Sequence, residues 1–185
     1  MTSNMNSNWP PSYTAYGITL SPLSQDMIET VRQWRNDPKI AELMLDKSHI
    51  TAEQQQTWFD GLQGDTSRAY WVAYFKDEPI GVASLMHICY DSSSAEPGLY
   101  IYPEKYRNNI VPFCLAFALN DFAFQQLSLN VLWGKIYETN QSSMRFHQTC
   151  GYHQYDTKAD GLMLVKLLKD DYEIAKKPIA RYIRY

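Results

Sequence analysis

Proton transfer is the chemistry for which this chain carries the clearest candidate residues. His147 can donate or accept a proton near neutral pH, because imidazole has an ordinary pKa of about 6.5. Glu96 is a candidate base, since a carboxylate can accept a proton directly or through water. His49 and His87 are further candidates for the base. The structural alternative for each histidine is a packed or satisfied ring, and for Glu96 it is a solvated loop charge.

A second candidate is an anion site at the start of an apolar helix. Pro112 suits the first helical position, and the mostly apolar residues through Leu127 indicate a helix that is buried on more than one side. Backbone N–H groups at a helix N-terminus attract anions, and Lys105 and Arg107 add positive charge just before this one. The Asn108–Asn109 pair tolerates left-handed backbone and carries side-chain donors.

The cysteines favour neither a metal site nor a disulfide framework. Cys89, Cys114 and Cys150 are odd in number and form no C-x-x-C pair, so we expect no zinc or other metal. A reducing cytoplasm is the compartment that fits best. None of the three has the electropositive neighbours that would make a nucleophilic thiolate.

Composition excludes several partners and indicates one domain. The chain has 185 residues and a formal net charge of −3, without a long basic stripe, so we expect no nucleic-acid partner. It lacks an apolar run of about 18 residues, so we expect no membrane span. We predict a flexible N-terminal tail over residues 1–15, a folded domain over 16–170 and a solvated or docking tail over 171–185.

The hydrophobic pattern predicts the element order β-α-α-β-β-β-α-β-α-β. The first helix should end at Asn36, shortly before a proline, and the second should begin with a capping box at Thr51–Gln54. Asn140 and Gly151 should cap and stop the last helix. The predicted strands are residues 18–20, 69–75, 80–88, 99–102, 131–137 and 162–168. Hairpins followed by a βαβ unit indicate a mixed α/β (α+β) sheet flanked by helices.

Three segments resemble one superfamily. Residues 140–152 (N-Q-S-S-M-R-F-H-Q-T-C-G-Y) resemble the pattern N-x-x-[AS]-x-x-[FL]-Y-x-x-x-G-[FY] of GNAT N-acetyltransferases. Within that superfamily, residues 33–40 (Q-W-R-N-D-P-K-I) and 96–100 (E-P-G-L-Y) resemble segments of the sugar-nucleotide amine acetyltransferases of pseudaminic acid biosynthesis. Ribosomal-protein acetyltransferases of the RimJ/RimL type share much of the pattern. The resemblance covers roughly residues 17–168 and implies the GNAT fold, with a mostly antiparallel twisted sheet.

The resemblance implies acetyl-CoA as the acyl donor. His147 stands where many members place a tyrosine general acid, and Glu96 becomes the base that deprotonates the amine. The family places the pantetheine arm between two splayed strands, here 99–102 and 131–137. The residues implied in donor binding are Tyr100, Ile101, Tyr102, Arg107, Asn108, Asn109, Ile110, Val111 and Asn140. A helix cap explains Asn140 equally well.

The phosphate loop departs from the family pattern. Members usually show [QR]-x-x-G-x-[GA], whereas this chain has R-N-N-I-V-P over residues 107–112. The Cβ of Ile110 restricts close approach of the backbone to a phosphate, and Pro112 removes one N–H donor. We therefore expect either weakened donor binding, or an altered loop, or a loop that no longer binds phosphate.

On the acceptor side, the resemblance implies a primary amine of a small molecule. The residues implied in acceptor binding are Trp34, Arg35, Asn36, His49 and Tyr90. Arg35 could hold a diphosphate by paired hydrogen bonds, whereas core packing is the default role for Trp34. Three functions stay open: acetylation of a nucleotide-linked amino sugar, RimJ/RimL-type protein acetylation, and silent binding on a GNAT scaffold. A homodimer also stays open.

Overall fold

Eight strands form one sheet in the computed structural model, which describes residues 9–185. The strands are β1 (Tyr13–Ala15), β2 (Ile18–Pro22), β3 (Ala69–Phe75), β4 (Glu78–Cys89), β5 (Ser94–Ile101), β6 (Val131–Tyr137), β7 (His153–Thr157) and β8 (Leu162–Leu168). They lie in the order β1-β2-β3-β4-β5-β6-β8-β7, and every neighbouring pair is antiparallel except β5 and β6. The predicted mixed sheet is confirmed.

The local sequence explains where several helices begin and end. The helices are α1 (Ile28–Asn36), α2 (Pro38–Ala41), α3 (Ala52–Asp60), α4 (Val111–Asp121), α5 (Gln141–Thr149) and α6 (Lys169–Ala180). As predicted, α1 ends at Asn36, because Asp37 is extended before Pro38. The Thr51 hydroxyl accepts from the Gln54 N–H and the Gln54 side chain accepts in return, so the predicted capping box is present.

Helices cover both faces of the sheet. On one face, α4 packs its apolar side chains against the strands, with Trp71, Phe117 and Phe122 fully buried at the centre. On the other face, Val31 and Trp34 of α1 pack against β3 and β4. The predicted burial of α4 on most sides is confirmed, since nearly every residue from Val111 to Asp121 is buried. A π-helical turn (Phe122–Gln126) follows it, where we predicted continued α-helix.

A buried charged network joins three elements on the α4 side. Asp121, at the end of α4, accepts hydrogen bonds from the hydroxyls of Tyr16 (2.5 Å) and Tyr172 (2.6 Å). Lys176 of α6 donates to the same carboxylate at 2.9 Å, and only 11% of its side chain is exposed. Glu173 is a second, half-exposed partner of Lys176 at 3.2 Å. The network therefore ties α6 and the β1–β2 turn to α4.

The predicted C-terminal tail is wrong, and the predicted N-terminal tail is wrong at residues 13–15. Residues 13–15 form β1, which pairs with β2, and residues 169–180 form α6. The C-terminal segment folds because Tyr172 is fully buried and Ile179 and Ile183 pack against the core. Residues 1–8 of the predicted N-terminal tail lie outside the described residues. In residues 9–185, no helix is long and apolar enough to cross a membrane.

The parallel pair β5–β6 is short, and this creates the central gap of the fold. The two strands pair only at Ser94↔Val131 and Ala95↔Leu132. Beyond these positions they separate, although β5 stays paired with β4 and β6 with β8. The divergence that the resemblance implied is present. It leaves one edge of β5 from Glu96 onward without a partner strand.

Candidate active site

The side chains of β5 alternate between the two faces of the sheet. Ala95, Leu99 and Ile101 belong to the core beneath α4, whereas Tyr100 belongs to the cluster beneath α1. Because strand side chains alternate, Glu96 shares the face of Tyr100. Gly98 lies between them, and a Cβ there would approach the Ser84 hydroxyl to 2.9 Å. The surface between Glu96 and Tyr100 is therefore kept free of a side chain.

Glu96 lies at the apex of the gap, one residue beyond the last β5–β6 pair. Its side chain is only 11% exposed, and its Oε2 is 3.5 Å from Nε2 of His87. Tyr70 of β3 is on the same face. Burial raises the pKa of the Tyr70 hydroxyl, and the nearby charge of Glu96 raises it further. A buried carboxylate beside an open gap is well placed to accept a proton from an incoming amine.

His87 bridges the strands above Glu96. It sits at an irregularity in the β4–β5 pairing with a φ of 52°, a left-handed conformation that typically costs a side chain about 1–3 kcal/mol. Its ring stacks on Trp133 of β6, with centroids 5.7 Å apart and an angle of 22° between the planes. The imidazole is 65% exposed, so it connects the buried carboxylate to solvent.

Arg35 and Tyr100 carry buried polar atoms with no partner among residues 9–185. These atoms are Nη1 of Arg35 and the hydroxyl oxygen of Tyr100. The other terminal nitrogen of Arg35 donates to the Asp46 carbonyl. Burial raises the pKa of Tyr100, and the Arg35 charge acts against that rise, so the two groups are close and Tyr100 stays a protonated donor. Buried donors of this kind normally have acceptors, which favours a ligand at this place.

The rest of the W-R-N-D-P segment is structural. Trp34 is buried and stacks on Tyr102, with ring centroids 5.4 Å apart. The Asn36 amide makes two 2.8 Å hydrogen bonds to the backbone of Ile50, which fastens the α2–α3 loop to α1. Asp37 caps α2 and accepts from the Tyr102 hydroxyl. Within this segment, Arg35 is the residue that has a buried side-chain donor without a partner among residues 9–185.

His49 and Tyr90, the other predicted acceptor residues, lie at the rim of this face of the sheet. His49 is exposed in the loop that Asn36 holds in place. Tyr90 is 49% exposed in the β4–β5 turn, and burial of the remainder raises the pKa of its hydroxyl. Neither makes a side-chain hydrogen bond within residues 9–185, so their roles stay predictions.

The predicted phosphate loop is held in shape by its own side chains. The Arg107 guanidinium donates to the carbonyls of Ile101 and Tyr102, both at 2.8 Å, and thereby anchors the end of β5. The Asn109 amide bridges the Lys105 carbonyl and the Val111 N–H. The Arg107 charge therefore lies at the gap, but its donors are already partly used.

Backbone donors remain at the start of α4 despite the missing glycines. Val111 N–H is taken by Asn109, Pro112 has none, and Phe113 N–H bonds to the Ile110 carbonyl. Within the part of the chain that the structure describes, the N–H groups of Asn108 and Ile110 have no acceptor. These amides, with the Arg107 charge, are the groups that fit an anionic coenzyme tail.

His147 lies on α5, on the opposite side of the sheet from Glu96. The helix packs beside α4, where Phe146 meets Phe113 at 4.9 Å. His147 lines a cavity of about 270 Å³ with Tyr152, Gln154 and others. Burial lowers the pKa of its imidazole, so the ring is neutral at pH 7.

The tautomer of His147 follows from one hydrogen bond. Nδ1 lies 2.8 Å from the Ser143 carbonyl oxygen, and a carbonyl only accepts, so Nδ1 carries the proton and Nε2 the lone pair. In this state His147 accepts rather than donates at Nε2. Asn140 caps α5 by accepting from the Ser143 N–H, as predicted for a cap, and its amide N–H₂ group has no acceptor within residues 9–185.

Two aromatic residues of the site escaped the sequence analysis. Trp133 and Tyr70 face the acceptor side but lie on strands we had treated as framework. In β6 the buried residues are Leu132, Gly134 and Ile136, so the alternation places Trp133 on the other face of the sheet. This alternation is the sequence pattern from which the position of Trp133 could have been predicted.

Among residues 9–185, no group of three His, Cys, Asp or Glu side chains could hold a metal ion.

Comparison with known proteins adds a family and several relatives. The family model described as "Acetyltransferase (GNAT) domain" matches residues 18–153. The acetyltransferase PseH of Campylobacter jejuni subsp. jejuni is 28% identical over 138 residues, which span 75% of this chain and 84% of the relative.

Solved structures share the fold. A spermidine N-acetyltransferase from Vibrio cholerae, solved with CoA and spermine, has a TM-score of 0.77 at 17% identity, covering 86% of this chain and 99% of its own. Campylobacter jejuni PseH in complex with acetyl coenzyme A has a TM-score of 0.65 at 22% identity, covering 82% and 99%. At these identities the structural likeness establishes the fold alone.

Proposed function

This chain belongs to the GNAT acetyltransferase family, and from that premise we propose that it moves an acetyl group from acetyl-CoA to the primary amine of a nucleotide-linked amino sugar. It is an N-acetyltransferase by family. The nucleotide-linked acceptor is suggested by similarity to the PseH acetyltransferase and by the partly buried Arg35, whose Nη1 is buried at the acceptor face.

The main observation in favour of a nucleotide-linked acceptor is the pair of donors on Arg35 and Tyr100 that lack a partner among residues 9–185. A guanidinium group suits a diphosphate, with which it forms short, charge-assisted hydrogen bonds. A polyamine would bring positive charges against Arg35, so the same side chain disfavours that class of acceptor. Glu96 is the buried acidic side chain on the Tyr100 face of β5, whereas the acidic side chain close to Arg35 is the exposed Asp46.

The gap between β5 and β6 fits the donor. The open edge of β5 would hold the pantetheine arm, and the amides of Asn108 and Ile110 with Arg107 would hold the pyrophosphate. Bound acetyl-CoA supplies the acetyl group, whose transfer gives an amide, a free thiol and one proton. Backbone N–H groups on the open edge of β5 would polarise the acetyl carbonyl.

Glu96 performs the proton chemistry on the amine. An ammonium group has no lone pair, so it must lose a proton before it can attack, and the buried carboxylate accepts that proton. His147 remains the candidate donor to the departing thiolate. Because its Nε2 carries no proton at pH 7, it must first gain one, and we expect a smaller contribution from it than from Glu96.

A thiol-release assay with a panel of amines tests the acceptor. We expect the fastest turnover with UDP- or dTDP-linked amino sugars, and little with spermidine or with peptides that begin with a free amine. Turnover of peptides alone would instead establish a RimJ/RimL-type enzyme. No turnover, together with no thermal shift from acetyl-CoA, would establish a silent scaffold.

Arg35→Met sharpens the same test. It should raise the KM for a nucleotide-linked amine by roughly 10- to 100-fold, because a hydrogen bond to a charged group contributes about 1.5–3 kcal/mol. The KM for acetyl-CoA should not change. Arg35→Lys is the matched control, since it keeps the charge but loses the paired hydrogen bonds. Its acceptor KM should lie between that of the unmodified enzyme and that of Arg35→Met. An unchanged acceptor KM in folded Arg35→Met would contradict the diphosphate role.

A further inference from the structure

Glu96 needs a route by which its proton can leave. The carboxylate is nearly buried, so a proton taken from an amine would remain in a covered site. Before the next turnover it must pass to water. His87 lies 3.5 Å from Glu96, Tyr70 is close enough for the Glu96 charge to raise its pKa, and Lys135 lies over the Trp133 ring on which His87 stacks. Burial and the Glu96 charge both raise the pKa of Tyr70, so its hydroxyl stays protonated and cannot take the proton.

His87 has the geometry of that route. Its Nε2 is 3.5 Å from Glu96 Oε2, and 65% of its side chain is exposed. The ring therefore touches the carboxylate at one end and water at the other. Imidazole suits this task because it can take a proton on one nitrogen and release one from the other.

The backbone and Trp133 hold the ring in place. The φ of 52° at His87 coincides with the irregularity in the β4–β5 pairing, which turns the side chain across β5. Trp133 then supports the ring from β6 by stacking at 5.7 Å. A strained backbone position that aims a side chain over a reactive group is a feature that functional sites retain.

We propose that His87 is a relay residue that carries the amine proton from Glu96 to solvent. The proposal rests on the proposed function, in which Glu96 is the base. In each turnover the amine N–H bond breaks and the proton binds a Glu96 oxygen. It then moves to Nε2 of His87, and a proton leaves His87 for water. No oxidant, metal or further reactant takes part.

Steady-state kinetics of His87→Ala and His87→Phe test the relay. Both should lower kcat by about 10-fold or more, whereas both KM values stay close to those of the unmodified enzyme. His87→Phe keeps an aromatic ring stacked on Trp133, so a lower kcat in this variant reflects the lost proton transfer and not the lost stacking. Free imidazole should restore kcat in His87→Ala, where space has been opened, and not in His87→Phe. Trp133→Phe weakens the support of the ring but keeps the imidazole, so it should lower kcat less than His87→Phe does.

The assay uses whichever amine the unmodified enzyme acetylates fastest, so it does not depend on the acceptor being a sugar. An unchanged kcat in His87→Phe would overturn the relay and leave only a stacking role. A raised acceptor KM, without rescue by imidazole, would also overturn it, because His87 would then contact the substrate. If the unmodified enzyme acetylates no amine, the proposed function fails and the relay fails with it.

Discussion

Glu96→Gln is expected to lower kcat for amine acetylation by about 10²- to 10⁴-fold, the usual contribution of a general base. Glutamine has nearly the same shape but cannot accept the ammonium proton. Donor binding should be unaffected, because the Glu96 side chain faces away from the α4 side of the sheet. The KM for acetyl-CoA and the melting temperature should therefore stay near those of the unmodified enzyme.

The pH profile separates a base from a binding group. Raising the pH increases the fraction of amine that is already neutral, so the deficit of Glu96→Gln should narrow as the pH rises. Glu53→Gln is the matched control, since Glu53 is exposed in the first turn of α3 and should be silent. A Glu96→Gln enzyme that keeps full kcat at neutral pH would assign the base elsewhere.

Asp121→Ala is expected to destabilise the fold by about 3 kcal/mol, because it leaves Lys176 buried without its main partner. Tyr16 and Tyr172 lose their shared acceptor at the same time. For a chain of this size the melting temperature should fall by roughly 6–12 °C. Urea unfolding, followed by fluorescence, gives the free energy of unfolding directly.

Two further variants separate the buried charge from the lost packing. Glu173→Gln should cost less than about 1 kcal/mol, since Glu173 is partly exposed and only a second partner of Lys176. Adding Lys176→Met to Asp121→Ala should recover part of the loss, because it removes the uncompensated charge. A destabilisation by Asp121→Ala no larger than that of Glu173→Gln would show that the network contributes little.

Elements with strong local signals were predictable from the sequence. The Thr51 capping box, the α1 stop at Asn36 and the apolar α4 each depend on residues within a few positions, and all three are present. The sheet class followed from the same patterns. Local chemistry fixes such features, so no distant contact was needed to anticipate them.

Elements whose stability comes from distant contacts were missed. β7 is exposed along its whole length and shows no alternation, because it is an edge strand held mainly by pairing with β8. The α6 segment looked like a polar tail. Its folding depends on Tyr172 and Lys176 reaching Asp121 more than 50 residues earlier in the chain. Patterns within a short window do not carry that information.

The site was predicted only in part, because the role of each of its residues also depends on contacts with distant segments. The sequence singled out Arg35 and Asn36 together, but Asn36 is used on the Ile50 backbone and Arg35 has the open donor. Residue type alone cannot separate these two outcomes, since both side chains form similar hydrogen bonds. Arg107 was likewise predicted from its charge, whereas its fastening to the end of β5 depends on how the chain turns.

The most direct test of the account is a crystal structure of Glu96→Gln with acetyl-CoA and a nucleotide-linked amino sugar. We expect the acetyl carbonyl in the gap between β5 and β6, the amine beside residue 96 and the diphosphate on Arg35. A coenzyme that binds outside that gap, or a nucleotide that leaves Arg35 Nη1 and the Tyr100 hydroxyl without partners, would contradict it.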